Sequence, residues 1–174
     1  MMVLVPLTIL FRGPLYRSTV AYTDAGKREN PPVADAKLSS RIEAMLLEVP
    51  PDLDGIVRIA KAITEEELAF TTGPAETNPN RLMHTAKANC VGYAATFASI
   101  ASYLVKRYGL QEEIAVEHHV GHLLLFGINV HQLFDDPFFK DHDYNVVRDR
   151  RTGERVAVDV TVSDYLGVEW VRER

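Results

Sequence analysis

The order of periodicities along this chain predicts an α+β fold, with helices first and an antiparallel sheet after them. Up to Tyr108 the apolar residues recur at helical spacing, and from Glu113 onward they alternate. The last two alternating segments flank Asp149-Arg150-Arg151-Thr152-Gly153, which reads as a hairpin turn. Helices gathered ahead of strands, rather than interleaved with them, favour antiparallel over parallel pairing.

Met1 to Phe11 is apolar except for Thr8 and reads as a buried strand. Arg12 to Pro32 is rich in Gly, Pro, Thr, Asp and Asn and reads as a loop. Ala34 to Val49 carries Leu38, Ile42, Met45, Leu46 and Val49 on one helical face, and Pro50-Pro51 stops it. Asp52 or Asp54 then caps a second helix that turns Ile56, Ile59, Ala60, Ile63 and Leu68 inward. Thr72 to Asn80 reads as a loop. Cys90 to Tyr108 is a third helix, with Phe97, Ile100, Ala101, Leu104 and Tyr108 on its buried face and Gly109 ending it. Strands are expected at Glu113–Glu117, His122–Val130, Asp143–Val147 and Arg155–Val162.

With 174 residues and 47% hydrophobic content, the chain can form one domain with a substantial core, spanning residues 1–174. A net charge of −5 without a basic tract argues against nucleic acid as a partner. The cluster Arg148, Arg150, Arg151 reads as a solvated turn. One cysteine permits no internal disulfide and no multi-cysteine zinc site, but it does not fix the compartment. The N-terminal run is too short to span a bilayer as a helix, and it lacks the basic flank and cleavage site of a signal peptide. Cytoplasm and cell envelope both remain open.

Three residues carry chemistry. Cys90 heads a helix, where free N–H groups and the helix dipole favour negative charge on a thiol whose ordinary pKa is about 8.5. Its backbone N–H is placed to donate to an oxyanion. His142, in a strand-like segment, can supply an imidazolium beside the thiol. Asp159 lies among valines, where a carboxylate is costly to bury unless paired. An imidazole N–H is its natural partner and would fix the ring's orientation. Across a hairpin centred near Thr152, Asp159 meets His142 only with an offset or a bulge.

The blocks Asn89-Cys90-Val91-Gly92-Tyr93-Ala94, His142-Asp143-Tyr144-Asn145-Val146-Val147 and Val158-Asp159-Val160-Thr161 resemble those of the transglutaminase-like superfamily. Val120-Gly121 resembles the strand-ending Val-Gly between its first two blocks. Tyr144 replaces a common Trp, and Val160 a common Pro. The resemblance covers roughly residues 80–165, and residues 1–79 read as an N-terminal extension with two helices. It implies a papain-like core with a Cys90 nucleophile, a His142 base and an orienting Asp159, acting on amide carbonyls through a thioester. The expected substrate is a peptide bond or glutamine side chain of a protein or peptide, with no cofactor. Hydrolysis is favoured over cross-linking by the small size.

Other readings compete. His122 is an alternative base, and His118, His119 and His122 invite a metal reading. In a strand, however, His118 and His122 face away from His119, whereas zinc needs three or four converging ligands. Asn89 and Lys87 fit a turn and a solvated face. Tyr93 suits core and site equally. Phe134, Phe138 and Phe139 either wall a cleft or anchor an insertion. A catalytically silent binding domain is the alternative to an enzyme.

Overall fold

The computed structural model describes residues 11–46 and 50–174. The apolar run before Phe11, expected as a strand, lies outside the described residues. So does Val49, at the end of the first expected helix.

The helical layer follows from capping and spacing. Helix α1 spans Arg12–Thr19 and leads into strand β1, Val20–Arg28. Helix α2, Ala36–Met45, is capped by the Asp35 side chain on Leu38 N–H at 2.9 Å. In α3, Leu53–Glu67, the cap is Asp52, on Gly55 N–H at 2.8 Å, and Asp54 lies in the first turn. A two-residue strand β2, Ala69–Phe70, pairs in parallel with β3, Lys87–Ala88. Between them Asn78 and Pro79 open a short helix α4, Pro79–Thr85. Helix α5, Cys90–Arg107, packs on α3 on one side and on the sheet on the other.

The sheet is antiparallel throughout, in the order β1-β4-β6-β7. Strand β4 is Ile114–Leu125, β5 is Ile128–Asn129 at its end, β6 is His142–Asp149 and β7 is Arg155–Val158. Helix α6, Val160–Leu166, follows β7 directly. The C-terminal tail then hydrogen-bonds both outer strands. Val171 N–H reaches Ala157 O at 2.9 Å, while Tyr22 donates to Arg172 O and accepts from Arg174 N–H. The tail thereby closes the sheet on itself. Inside lie Tyr22, Tyr144, Val146, Ala157, Val168 and Val171. Outside, Val147 and Val158 join the larger core with α3 and α5.

The α+β class with an antiparallel sheet holds, and three local readings are corrected. Arg12 to Pro32 is not a loop: α1 and β1 occupy most of it. Strand β1 is weak in intrinsic preference and gains its order from pairing along β4 from Val20 to Arg28. The expected strands Glu113–Glu117 and His122–Val130 are not separate: β4 runs unbroken from Ile114 through Val120-Gly121 to Leu125, and the remainder turns back as β5. Gly121 does not end it, because β1 and β6 pair on both flanks. The expected strand Arg155–Val162 stops at Val158, where Asp159 caps α6. The β-branched run after it is helical because that cap and the surrounding packing override its preference.

Gly121 is required by close approach. A Cβ there would meet Thr23 O and Tyr144 Cε1 at 2.7 Å each. Tyr144 is fully buried, so its ring has nowhere to go. Gly121→Ala is expected to cost about 1–3 kcal/mol, read as a lower urea midpoint with an unchanged slope.

Candidate active site

Asn89 is the N-cap of α5, accepting from Gly92 N–H at 3.3 Å and donating to Gly73 O at 3.1 Å. These two bonds fix the turn that presents Cys90 as the first helical residue. A side chain at Gly92 would collide with Ala88 Cβ and Glu76 O, at 2.8 and 2.9 Å. The first turn of α5 therefore sits flush against the preceding loop. Lys87 is exposed on β3 and takes no part.

His142 opens β6, opposite Gly121. Its Nε2 meets Asp159 Oδ2 at 2.7 Å. With Nε2 on the carboxylate, Nδ1 is the nitrogen left over. Burial opposes charge on the ring. The Asp159 charge and hydrogen bond, with the nearby Cys90 thiol, outweigh burial and hold the imidazole well above its usual value.

Asp159 is 1% exposed. Burial would raise its carboxyl. His142, the Tyr22 hydroxyl and the Val162 N–H together bring it below the ordinary range. The bond to Val162 N–H, at 3.1 Å, is the N-cap of α6. Asp159 thus reaches His142 by leaving the strand rather than by a bulge within it.

Sequence reasoning missed Tyr22. It comes from the segment read as a loop, and its hydroxyl donates to Asp159 Oδ2 at 2.7 Å. Burial, then the Asp159 charge, keeps this phenol neutral and donating. Tyr16 in turn donates to Tyr22 at 2.6 Å. A weak signal existed: Tyr16 and Tyr22 are the aromatics of a stretch otherwise rich in small and polar residues.

A second polar cluster lies alongside. Asp143 Oδ2 binds His118 Nε2 at 2.9 Å and Arg28 Nε at 2.8 Å, and His118 Nδ1 meets Asn30 Oδ1 at 2.8 Å. Arg28 is raised by Asp143 against burial, with smaller contributions from Asp141 and Cys90. Its guanidinium therefore stands within electrostatic reach of the thiol. Asn145 Nδ2 donates to Ala94 O at 3.0 Å, fastening β6 to the first turns of α5.

The remaining candidates separate. His122 stacks on His131, with ring centroids 5.8 Å apart. His119 pairs with Glu117 and Asp24. Among the described residues no three His, Cys, Asp or Glu side chains converge as metal ligands. Tyr93 is core, its hydroxyl on Leu68 O and Asp164. Phe134 and Phe138 both pack on Phe139, whose carbonyl holds His131 Nδ1 at 2.7 Å. Burial lowers His131, and the charges of His142 and His122 add to this. The aromatic loop is therefore anchored beside His142.

A cavity of about 980 Å³ lies elsewhere, between the start of α3 and the C-terminal tail, lined by Asp52, Arg58, Lys61, Arg155 and Trp170 among others. It holds no nucleophile, whereas thiol, imidazole and carboxylate meet at Cys90. The chain matches no family model and no curated protein.

The His142–Asp159 pair sets a pH window. A raised imidazole contributes stability that is full below its unfolded value of about 6.5 and is lost as pH rises through the folded value. A depressed carboxyl contributes stability that is full above about 3.9 and is lost as pH falls through the folded value. The stability deficit of His142→Gln should be largest between these limits and shrink at both ends, in urea titrations at several pH values. Tyr22→Phe should cost about 1.5–3 kcal/mol, as expected for losing a bond to a buried charge, in the same assay at neutral pH.

Proposed function

We propose that this protein is a cysteine-dependent acyl-transfer enzyme of transglutaminase-like type, built on a papain-like core and acting at amide carbonyls. The reading rests on one observation: the His142 ring is bonded to the buried Asp159 carboxylate and has the helix-heading Cys90 thiol as a close neighbour that favours its charged form. The helix-heading cysteine and the closed antiparallel sheet that carries the histidine are consistent with it.

In the reaction, Cys90 Sγ attacks the carbonyl carbon while His142 Nδ1 takes the thiol proton. Asp159 holds the imidazolium through Nε2. The first N–H groups of a helix lack intrahelical partners, and that of Cys90 is a donor for the oxyanion. As the C–N bond breaks, His142 returns the proton to the leaving nitrogen. The thioester then passes to water or an amine, whose proton His142 accepts before thiolate departs. The acyl donor is a peptide bond or a glutamine side chain of a protein or peptide. This chemistry uses no cofactor.

Iodoacetamide alkylation tests the dyad. Cys90 should react at neutral pH several-fold faster in the parent than in His142→Ala, and Cys90→Ala should show no labelling. On glutamine and peptide amide panels, either variant should lose about 100-fold or more in turnover. Equal alkylation in parent and His142→Ala would point instead to a binding domain that keeps the fold without the chemistry.

A further inference from the structure

We propose that the β4–β5 hairpin tip and the adjoining face of α1 form a docking surface for an anionic lipid bilayer, which the protein binds without crossing it. This inference stands apart from the acyl-transfer reading.

The tip breaks a local rule. Leu125 pairs with Ile128, so Phe126-Gly127 is a two-residue turn. Their φ angles are +50° and +86°. Both being positive, the turn favours Asn-Gly or Asp-Gly. Phenylalanine is a strained choice at the first position, and it is 76% exposed there. Ile128 beside it is 64% exposed. The backbone thus holds an unfavourable conformation to present a bare aromatic ring.

The tip is fastened to α1, because Phe126 N–H donates to Thr19 O at 2.8 Å. Phe11, just before that helix, and Leu15, in its first turn, are 51% and 56% exposed. In sequence, residues 1–10 carry no ionisable side chain and lead into Phe11.

Charge selects the partner. The chain has 24 acidic residues, yet the first of them is Asp24. Before it stand only Arg12 and Arg17 as charged side chains. Residues 118–134, which carry the hairpin, contain no Asp, Glu, Lys or Arg. Arg12 is held on Gly167 O, and Arg17 lies over the Trp170 ring at 3.7 Å. Arg174 reaches the turn, its guanidinium 3.7 Å from where a Gly127 Cβ would be. The nearby tail acid Glu173 is engaged by Arg155 and Tyr144. Asp135 and Asp136 come only after Phe134. Protruding apolar side chains with guanidiniums beside them, and no acid before Asp24 or within residues 118–134, suit the headgroup region of an anionic bilayer. No helix among the described residues is long and apolar enough to cross one.

The surface lies close to the thiol site. His142 pairs with Gly121, and Leu125 lies further along the same strand, about 13 Å away.

The test is flotation of the full chain with vesicles of phosphatidylcholine alone or mixed with phosphatidylglycerol, at low and high salt. Binding should require phosphatidylglycerol and weaken with salt. Phe126→Asn should lower partition about 10-fold, the loss expected for one buried aromatic side chain, while its thermal midpoint stays equal or rises because Asn fits the turn. Leu15→Ser should weaken binding with an unchanged fold. Absence of binding to either vesicle overturns the proposal. So does binding that neither substitution alters, which would assign it to residues 1–10 alone. A concentration-dependent dimer in sedimentation, abolished by Phe126→Asn, together with no vesicle binding, would make a second copy the occupant instead.

Discussion

Asp159 is the constraint from which the geometry around the thiol follows. A carboxylate taken out of water is tolerable only when its oxygens are paired. Asp159 meets that condition with three groups from three elements: the His142 imidazole of β6, the Tyr22 hydroxyl of β1 and the Val162 N–H of α6. Each partner explains a feature of the fold. The cap on Val162 ends β7 and starts α6. The bond to His142 fixes which ring nitrogen is left over. The bond to Tyr22 requires β1 to lie within reach of the far end of the sheet, and the tail achieves this by hydrogen-bonding β1 and β7 together. If the tail were absent, the strand carrying Tyr22 and the strand leading to Asp159 would be opposite edges of an open sheet.

Much of this was legible in the sequence, but unevenly. An aspartate among valines announces a partner by its cost, and the helix-heading cysteine announces itself by position. The pairing of Asp159 with His142 could therefore be stated from residue types alone. The register could not, because Val160, Thr161 and Val162 are β-branched and extend the apparent strand past the cap. Tyr22 was missed for a different reason. Its strand takes its order from a partner nearly a hundred residues away, and no local pattern records such pairing. Gly121 misled in the same way. Read alone it ends a strand, yet between β1 and β6 it is the residue that lets the buried Tyr144 ring pass.

Among the described residues two acid–imidazole pairs are buried, and their difference is instructive. His142 and Asp143 are neighbours on β6, one paired with Asp159 and the other with His118. In the Asp143 pair both imidazole nitrogens are engaged, by Asp143 and by Asn30, and Arg28 supplies the carboxylate with a fixed cation. That ring faces no thiol, and its carboxylate already has a cation beside it. In the Asp159 pair the carboxylate's other partners are neutral donors, so the positive charge that balances it must come from His142 itself. Its other polar neighbour is the Cys90 thiol, which also favours the charged ring. Two pairs built from the same residue types therefore divide by their outer partners. The first locks β1, β4 and β6 together as a static network. The second is the pair whose proton the proposed reaction exchanges with sulfur.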